Sequence, residues 1–254
     1  MKKSGILLIA HGSRDITWVT YIEDAVRGLS LEQPMEISFL ELVPGRSIAE
    51  GIMRLEEVGV RKIIVIPMFM TMGSTHLDEI QYMLGIRLKP TVETDLTPIP
   101  HSSKIVWCSP LEDDRIVKEI LAERITCLSR SPIDEWLLLI GHGSEVQGFG
   151  EKWESLLQRL CHSLKSKFGF KGASYATLHP DTIRSTSLEL MKGNRVITVP
   201  VFLSEGYFTQ SLIPRKLVGN IYDGKTLLPH PLITVWIQEK MRKALTDSRN
   251  YYTL

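Results

Sequence analysis

Short unbroken apolar runs alternate with amphipathic stretches along this chain. Residues 6–10 and 137–141 are unbroken apolar runs bounded by polar punctuation, the pattern of parallel strands buried on both faces, and a strand is expected over 62–67. A further strand is expected over 37–42. Between these runs Trp18, Ile22, Ala25, Val26 and Leu29 recur at helical spacing, and Trp153, Leu156, Leu157, Leu160 and Leu164 do the same later on. The first half continues with a helix over 48–58, a weaker strand over 96–100 and a helix over 113–125. The second half repeats the series and ends in a helix over 233–245. Strand alternating with helix predicts parallel sheets carrying helices on both faces.

The series is written twice. I-L-L-I-A-H-G-S over 6–13 returns as L-L-L-I-G-H-G-S over 137–144, and I-I-V-I-P-M-F-M-T-M-G over 63–73 returns as V-I-T-V-P-V-F-L-S-E-G over 196–206. Ser38-Phe39 ahead of Pro44 answers Ser174-Tyr175 ahead of Pro180, and Pro110-Leu111 answers Pro231-Leu232. The order holds while the offsets drift, as loop insertions and deletions make them. The expected architecture is α/β: two similar doubly wound parallel-sheet lobes from an internal duplication, with a cleft between them. Residues 1–128 would form the first lobe and 133–254 the second, joined by Ser-Arg-Ser-Pro over 129–132. Open parallel sheets bind ligands beyond the carboxyl ends of their strands, so those ends are where chemistry is expected.

Composition narrows the possibilities. Among 254 residues, 30 Lys+Arg against 29 Asp+Glu leave a formal charge of +1, which gives no global attraction to nucleic acid or to an anionic membrane. No apolar run is long enough for a membrane span, and the one near the N-terminus is too short for a signal peptide, so the cytoplasm is the expected compartment. Cys108, Cys127 and Cys161 form no C-x-x-C pair, which argues against an iron–sulfur cluster, a zinc ribbon and a redox dithiol, and their odd number argues against a disulfide framework. Neither G-x-G-x-x-G nor G-x-x-x-x-G-K-[ST] is present, so neither NAD nor ATP is expected as a participant. G-x-S-x-G is missing as well. The state of assembly, monomer or homodimer, is left open.

Three polar residues fall where the fold puts chemistry. His11 ends the first buried strand and is followed by Gly12 and Ser13, a tight turn leading to a helix whose N-terminus can meet an anion. The alternative for His11 is a turn histidine bonded to backbone. His76 follows the strand at 62–67, and Glu41 ends the strand between. With offsets of 133 and 136, the second-half counterparts of His76 and Glu41 are Thr209 and Thr177, so two of the three polar groups are expected to be lost there. Two neutral imidazoles with open positions suit a divalent Fe, Co, Ni or Zn ion, and the carboxylate can serve as ligand or base. Met70 and Met72 are candidates for soft contact with a flat apolar ligand. Arg14 and Arg46 are candidates for pairing with ligand carboxylates. His101, His162, His179 and His230 offer no usable partner spacing.

With those residues in view the chain resembles the sirohydrochlorin chelatases, within the ATP-independent class II tetrapyrrole chelatases. The carriers are I-L-L-I-A-H-G-S-R over 6–14, F-L-E-L over 39–42, V-I-P-M-F over 65–69 and Gly73 to His76. The resemblance implies a metal-inserting lyase in which His11 and His76 bind the incoming ion and Glu41 assists. Its substrates would be a tetrapyrrole and Co2+ or Fe2+, for cobalamin or sirohaem synthesis, and the second lobe would be a degenerate partner enclosing the macrocycle. One departure is local: in many members an acidic-Ile-Pro follows the second histidine, whereas Glu79-Ile80-Gln81 is one residue closer and lacks the proline. Two other classes fit the same outline, a non-catalytic metal or tetrapyrrole carrier and a two-lobed small-molecule binding protein.

Overall fold

The computed structural model describes residues 3–246. In chain order the elements are β1 (Ser4–Ala10), α1 (Ile16–Arg27), β2 (Met35–Phe39), α2 (Ile48–Glu57), β3 (Lys62–Pro67), α3 (Thr75–Met83), β4 (Lys104–Trp107), α4 (Arg115–Leu128), β5 (Glu135–Gly143), α5 (Gly150–Phe168), β6 (Gly172–His179), α6 (Ile183–Leu190), β7 (Arg195–Pro200), α7 (Ile213–Lys216) and α8 (Pro231–Thr246). A π-helical turn, Phe208–Leu212, precedes α7. No helix among the described residues is long and apolar enough to cross a membrane.

The chain divides into two compact units, one of residues 1–111 and 231–254, the other of residues 112–230. This differs from the expected division at 129–132. Helix α4 closes the first sequence repeat, yet it packs on β7 and α5, while α8, closing the second, packs on α1 and β3. An amphipathic stripe records that a helix has a buried face, but not which of two similar sheets that face meets.

In the first unit the sheet runs β2-β1-β3-β4, all parallel, and in the second it runs β6-β5-β7, also parallel. Ile6, Leu7, Leu8 and Ile9 on the central strand are wholly buried, as are Leu137 to Ile140 on β5, because helices cover both faces. Each such side chain contributes roughly 1.5–3 kcal/mol when removed from water. On one face of the first sheet, Leu7, Ile9, Val65, Ile52, Leu55, Leu77 and Ile80 pack into one core. Helix α2 begins with a capping box, in which Ser47 and Glu50 satisfy each other's backbone N–H groups.

The fourth strand lies at Lys104–Trp107 rather than at 96–100. Pro98 and Pro100 remove ladder donors from the earlier segment, which instead docks through Ile99 N–H on the Met83 carbonyl. In the second unit the corresponding edge is reduced to one parallel bridge, Ile197 to Ile221.

The register also corrects the internal alignment. Ala10 lies opposite Phe39 in the first sheet and Gly141 opposite Thr177 in the second, so the β2 and β6 offset is 138, not 136. Glu41 therefore corresponds to His179, and Thr177 corresponds to Phe39. A two-residue slip leaves every side chain on the same sheet face, so alternation of apolar and polar positions does not detect it.

Candidate metal centre

The site is set by the backbone at the end of β1. Gly12 has φ +103°, and a Cβ there would lie 1.9 Å from the Glu41 carbonyl oxygen. Only glycine permits this approach, which lets Glu41 N–H bond the His11 carbonyl at 3.1 Å and brings the two residues side by side. Leu42, next in the chain, is held at φ 66°. That left-handed conformation costs a non-glycine residue about 1–2 kcal/mol and fixes the turn that carries Glu41.

His11 Nδ1 lies 3.0 Å from the Gly12 carbonyl oxygen. A carbonyl only accepts, so Nδ1 carries the hydrogen and Nε2 holds the lone pair. That Nε2 faces Glu41 Oε1 at 3.5 Å. Two acceptors turned to each other are stabilised by a positive guest between them, either a proton or a metal ion.

His76 is the second residue of α3, which starts one short loop beyond β3. Its ring centroid is 4.6 Å from that of His11, at an interplanar angle of 67°. A metal about 2.1 Å from each ring nitrogen places two imidazole centroids roughly 4.5–5.2 Å apart, so the pair is spaced for one ion. His76 Nδ1 lies 2.9 Å from Glu79 Oε2, and the other Glu79 oxygen accepts from the Thr94 hydroxyl at 2.9 Å. Nδ1 therefore donates to the carboxylate, and Nε2 is again the acceptor. A carboxylate behind a histidine fixes the orientation and tautomer of the ring.

The loop bearing Thr94 is itself fastened to α3. Buried Asp78 accepts from the backbone N–H groups of Thr91 and Val92 and from the Thr91 hydroxyl, and it pairs with Arg87. Adjacent carboxylates thus do different jobs: Asp78 anchors the loop, and Glu79 uses that loop to hold His76. Among the described residues, no group of three or more His, Cys, Asp or Glu side chains is arranged to hold a metal ion. The donors present leave coordination positions open, unlike the closed cage of a structural zinc site.

The CbiX family model matches residues 5–128 and again 136–247, which together make up most of the chain. The chain belongs to the CbiX family. Its two matched segments are the two sequence repeats, although the closing helices are exchanged between the compact units. Similar curated proteins include the sirohydrochlorin cobaltochelatases of Methanopyrus kandleri, 29% identical over 47% of this chain and 93% of that protein, and of Methanothermobacter thermautotrophicus, 29% identical over 48% and 91%. Those relatives are about half as long as this CbiX-family chain. Among solved structures, SirB from Bacillus subtilis with Fe3+ aligns with TM-score 0.75 at 20% identity, covering 97% of both chains. CbiX, the terminal enzyme for biosynthesis of sirohaem in denitrifying bacteria, aligns at 0.63 and 16%, covering 95% of this chain and all of that one. These likenesses establish the chelatase fold.

The remaining candidates of this CbiX-family chain fall in different settings. The Ser13 hydroxyl accepts from the Asp15 backbone N–H, so it shapes the turn before α1. Arg14 is exposed and makes no ion pair among the described residues. Arg46 is already engaged: its Nη1 lies 2.5 Å from Glu23 Oε1, and its guanidinium lies 4.8 Å above the Phe39 ring. It does not present an open cation. Met70 is buried, 7% exposed, and Met72 is partly buried against the core of the first unit.

Two residues escaped the sequence reading. Glu79 stands in a displaced motif, and its i,i+3 spacing from His76 at a helix start is the signal that pairs them. His179 meets His142 only through the register of β5 and β6, which no sequence spacing discloses. Thr209, the expected counterpart of His76, is buried in the π-helical turn with its hydroxyl bonded to Gly206, and Phe208 lies against His142 instead.

Proposed function

We propose that this chain is a sirohydrochlorin chelatase that inserts Co2+ or Fe2+ into the macrocycle without ATP. His11 and His76 are the metal ligands, and Glu41 is the assisting carboxylate. The observation that carries the reading is the His11–His76 ring pair, 4.6 Å apart between centroids, with Glu41 Oε1 3.5 Å from His11 Nε2. The names of the curated relatives support the substrate class.

Insertion exchanges two pyrrole N–H protons for one divalent ion. The ion must therefore be held strongly enough to be positioned and weakly enough to be released. Two imidazoles and one carboxylate leave positions that ring nitrogens can take. As the ion departs, the same acceptors are free to take the two protons from the ring, with an imidazole or the Glu41 carboxylate as the base. Glu79 keeps His76 in one tautomer throughout. Ser13 and Arg14, at the same turn, are the side chains we assign to the substrate's carboxylates. Three cysteines with no disulfide suit the reducing cytoplasm, where we place the reaction.

The test is an absorbance assay with purified chain, sirohydrochlorin and Co2+ or Fe2+ in turn, without ATP. The wild type is expected to convert the free macrocycle to its metal complex, and His11→Ala and His76→Ala to abolish this while circular dichroism shows an intact fold. Tight binding of metal and macrocycle without turnover would overturn the proposal in favour of a carrier. Full activity in both variants would remove the assigned site.

A further inference from the structure

The second unit repeats the strand-end cradle with a different donor set. Gly143 stands opposite His179 in the β5–β6 register and has φ +75°, and a Cβ on it would lie 2.0 Å from the His179 carbonyl oxygen. The same glycine relation in the first unit seats Glu41, so His179 occupies the place of Glu41. His142 repeats His11 as well: its Nδ1 lies 3.1 Å from the Gly143 carbonyl oxygen, so Nδ1 carries the hydrogen and Nε2 is the basic nitrogen.

The two rings have centroids 5.0 Å apart at an interplanar angle of 42°. That separation falls within the roughly 4.5–5.2 Å expected for two imidazoles on one ion. The ring neighbours of His142 include Phe208 at 5.5 Å, Trp153 at 6.4 Å and Phe202 at 6.5 Å between centroids. His179 is exposed, which leaves an approach from solvent.

We propose that His142 and His179 form a second divalent-metal site, belonging to the second unit and separate from the His11–His76 pair. Its donor set decides the class of ion. Neutral imidazoles against an aromatic wall favour late first-row cations such as Ni2+, Co2+ and Zn2+, whereas Mg2+ and Ca2+ require oxygen ligands. Substituting histidine at the place of Glu41 exchanges a charged oxygen donor for a neutral nitrogen, so this unit keeps the geometry of a metal cradle with softer chemistry. Duplication alone explains His142; it does not explain a new histidine beside it.

The experiment isolates this site in the full chain by using the His11→Ala/His76→Ala double variant. Titration calorimetry with Ni2+ alone, at neutral pH, is expected to show one equivalent bound. Adding His179→Ala, a change at an exposed position, is expected to remove that equivalent, while adding His179→Gln weakens it by at least about tenfold. Mg2+ is expected to give no competing heat. The proposal is overturned if the double variant, folded by circular dichroism, binds no Ni2+ up to about 1 mM, or if its binding is unaffected by His179→Ala. The readout is stoichiometry rather than turnover, so failure here leaves the assignment of the first unit standing, and failure there leaves this one standing.

Discussion

Removing Glu79 tests whether His76 is placed by its neighbour or merely lies near it. The carboxylate is only 17% exposed and bridges His76 Nδ1 and the Thr94 hydroxyl, each at 2.9 Å. In Glu79→Ala the ring loses the group that fixes its tautomer and orientation, and Thr94 loses its acceptor. Loss of such a supporting carboxylate typically lowers metal affinity by about 10–100-fold, equivalent to roughly 1.4–2.8 kcal/mol. Glu79→Gln keeps an oxygen to accept from Nδ1, so it is expected to fall short of the alanine effect. The apparent KM for the metal should rise by that factor in the insertion assay. Nitrogen-15 spectra of the His76 ring should pass from one tautomer, protonated at Nδ1, to a mixture. Wild-type metal dependence together with an unchanged His76 tautomer in Glu79→Ala would refute the reasoning.

Three further outcomes follow from the same geometry. Gly12→Ala forces a Cβ to within 1.9 Å of the Glu41 carbonyl oxygen at a φ of +103°, so a loss of about 2 kcal/mol or more and a fall in Tm of roughly 4–8 °C are expected by thermal unfolding; an unchanged Tm would contradict the cradle. Burial pushes the Cys108 thiol up to about 11 and the Cys161 thiol up to about 12, while Cys127 is exposed. Mass spectrometry after brief iodoacetamide treatment should therefore find one alkylated cysteine in the native chain and three after guanidinium, and rapid native labelling of Cys108 or Cys161 would contradict their burial. For Glu135, burial raises the pKa, but this is outweighed by hydrogen bonds from the Ser129 hydroxyl, the backbone at Arg130 and Ser131, and the Arg195 guanidinium, so the carboxyl sits below its ordinary 4.5. A depressed folded value means that its stabilisation is present above 4.5 and is lost as pH falls through the folded pKa. Urea unfolding should show Glu135→Gln less stable than wild type at neutral pH, with the gap narrowing below about pH 4; a gap independent of pH would remove Glu135 from the acid response.

The sequence by itself determined the class of the fold, because apolar runs of about five or six residues are too short for buried helices and alternate with amphipathic stretches, and two such series in one order declare a duplication. It also singled out His11, His76 and Glu41, since each sits where a parallel strand releases the chain. What it left undecided was everything that depends on contact between distant segments. The helices Arg115–Leu128 and Pro231–Thr246 have apolar faces that either sheet could bury, and only packing chose. Arg46 and Met70 looked open to a ligand until tertiary contacts supplied Glu23, the Phe39 ring and a core to occupy them. Strand periodicity repeats every two residues, so a slip by two is silent in the pattern, and His179 emerged as the partner of His142 only once hydrogen-bonded register fixed which residues stand opposite each other.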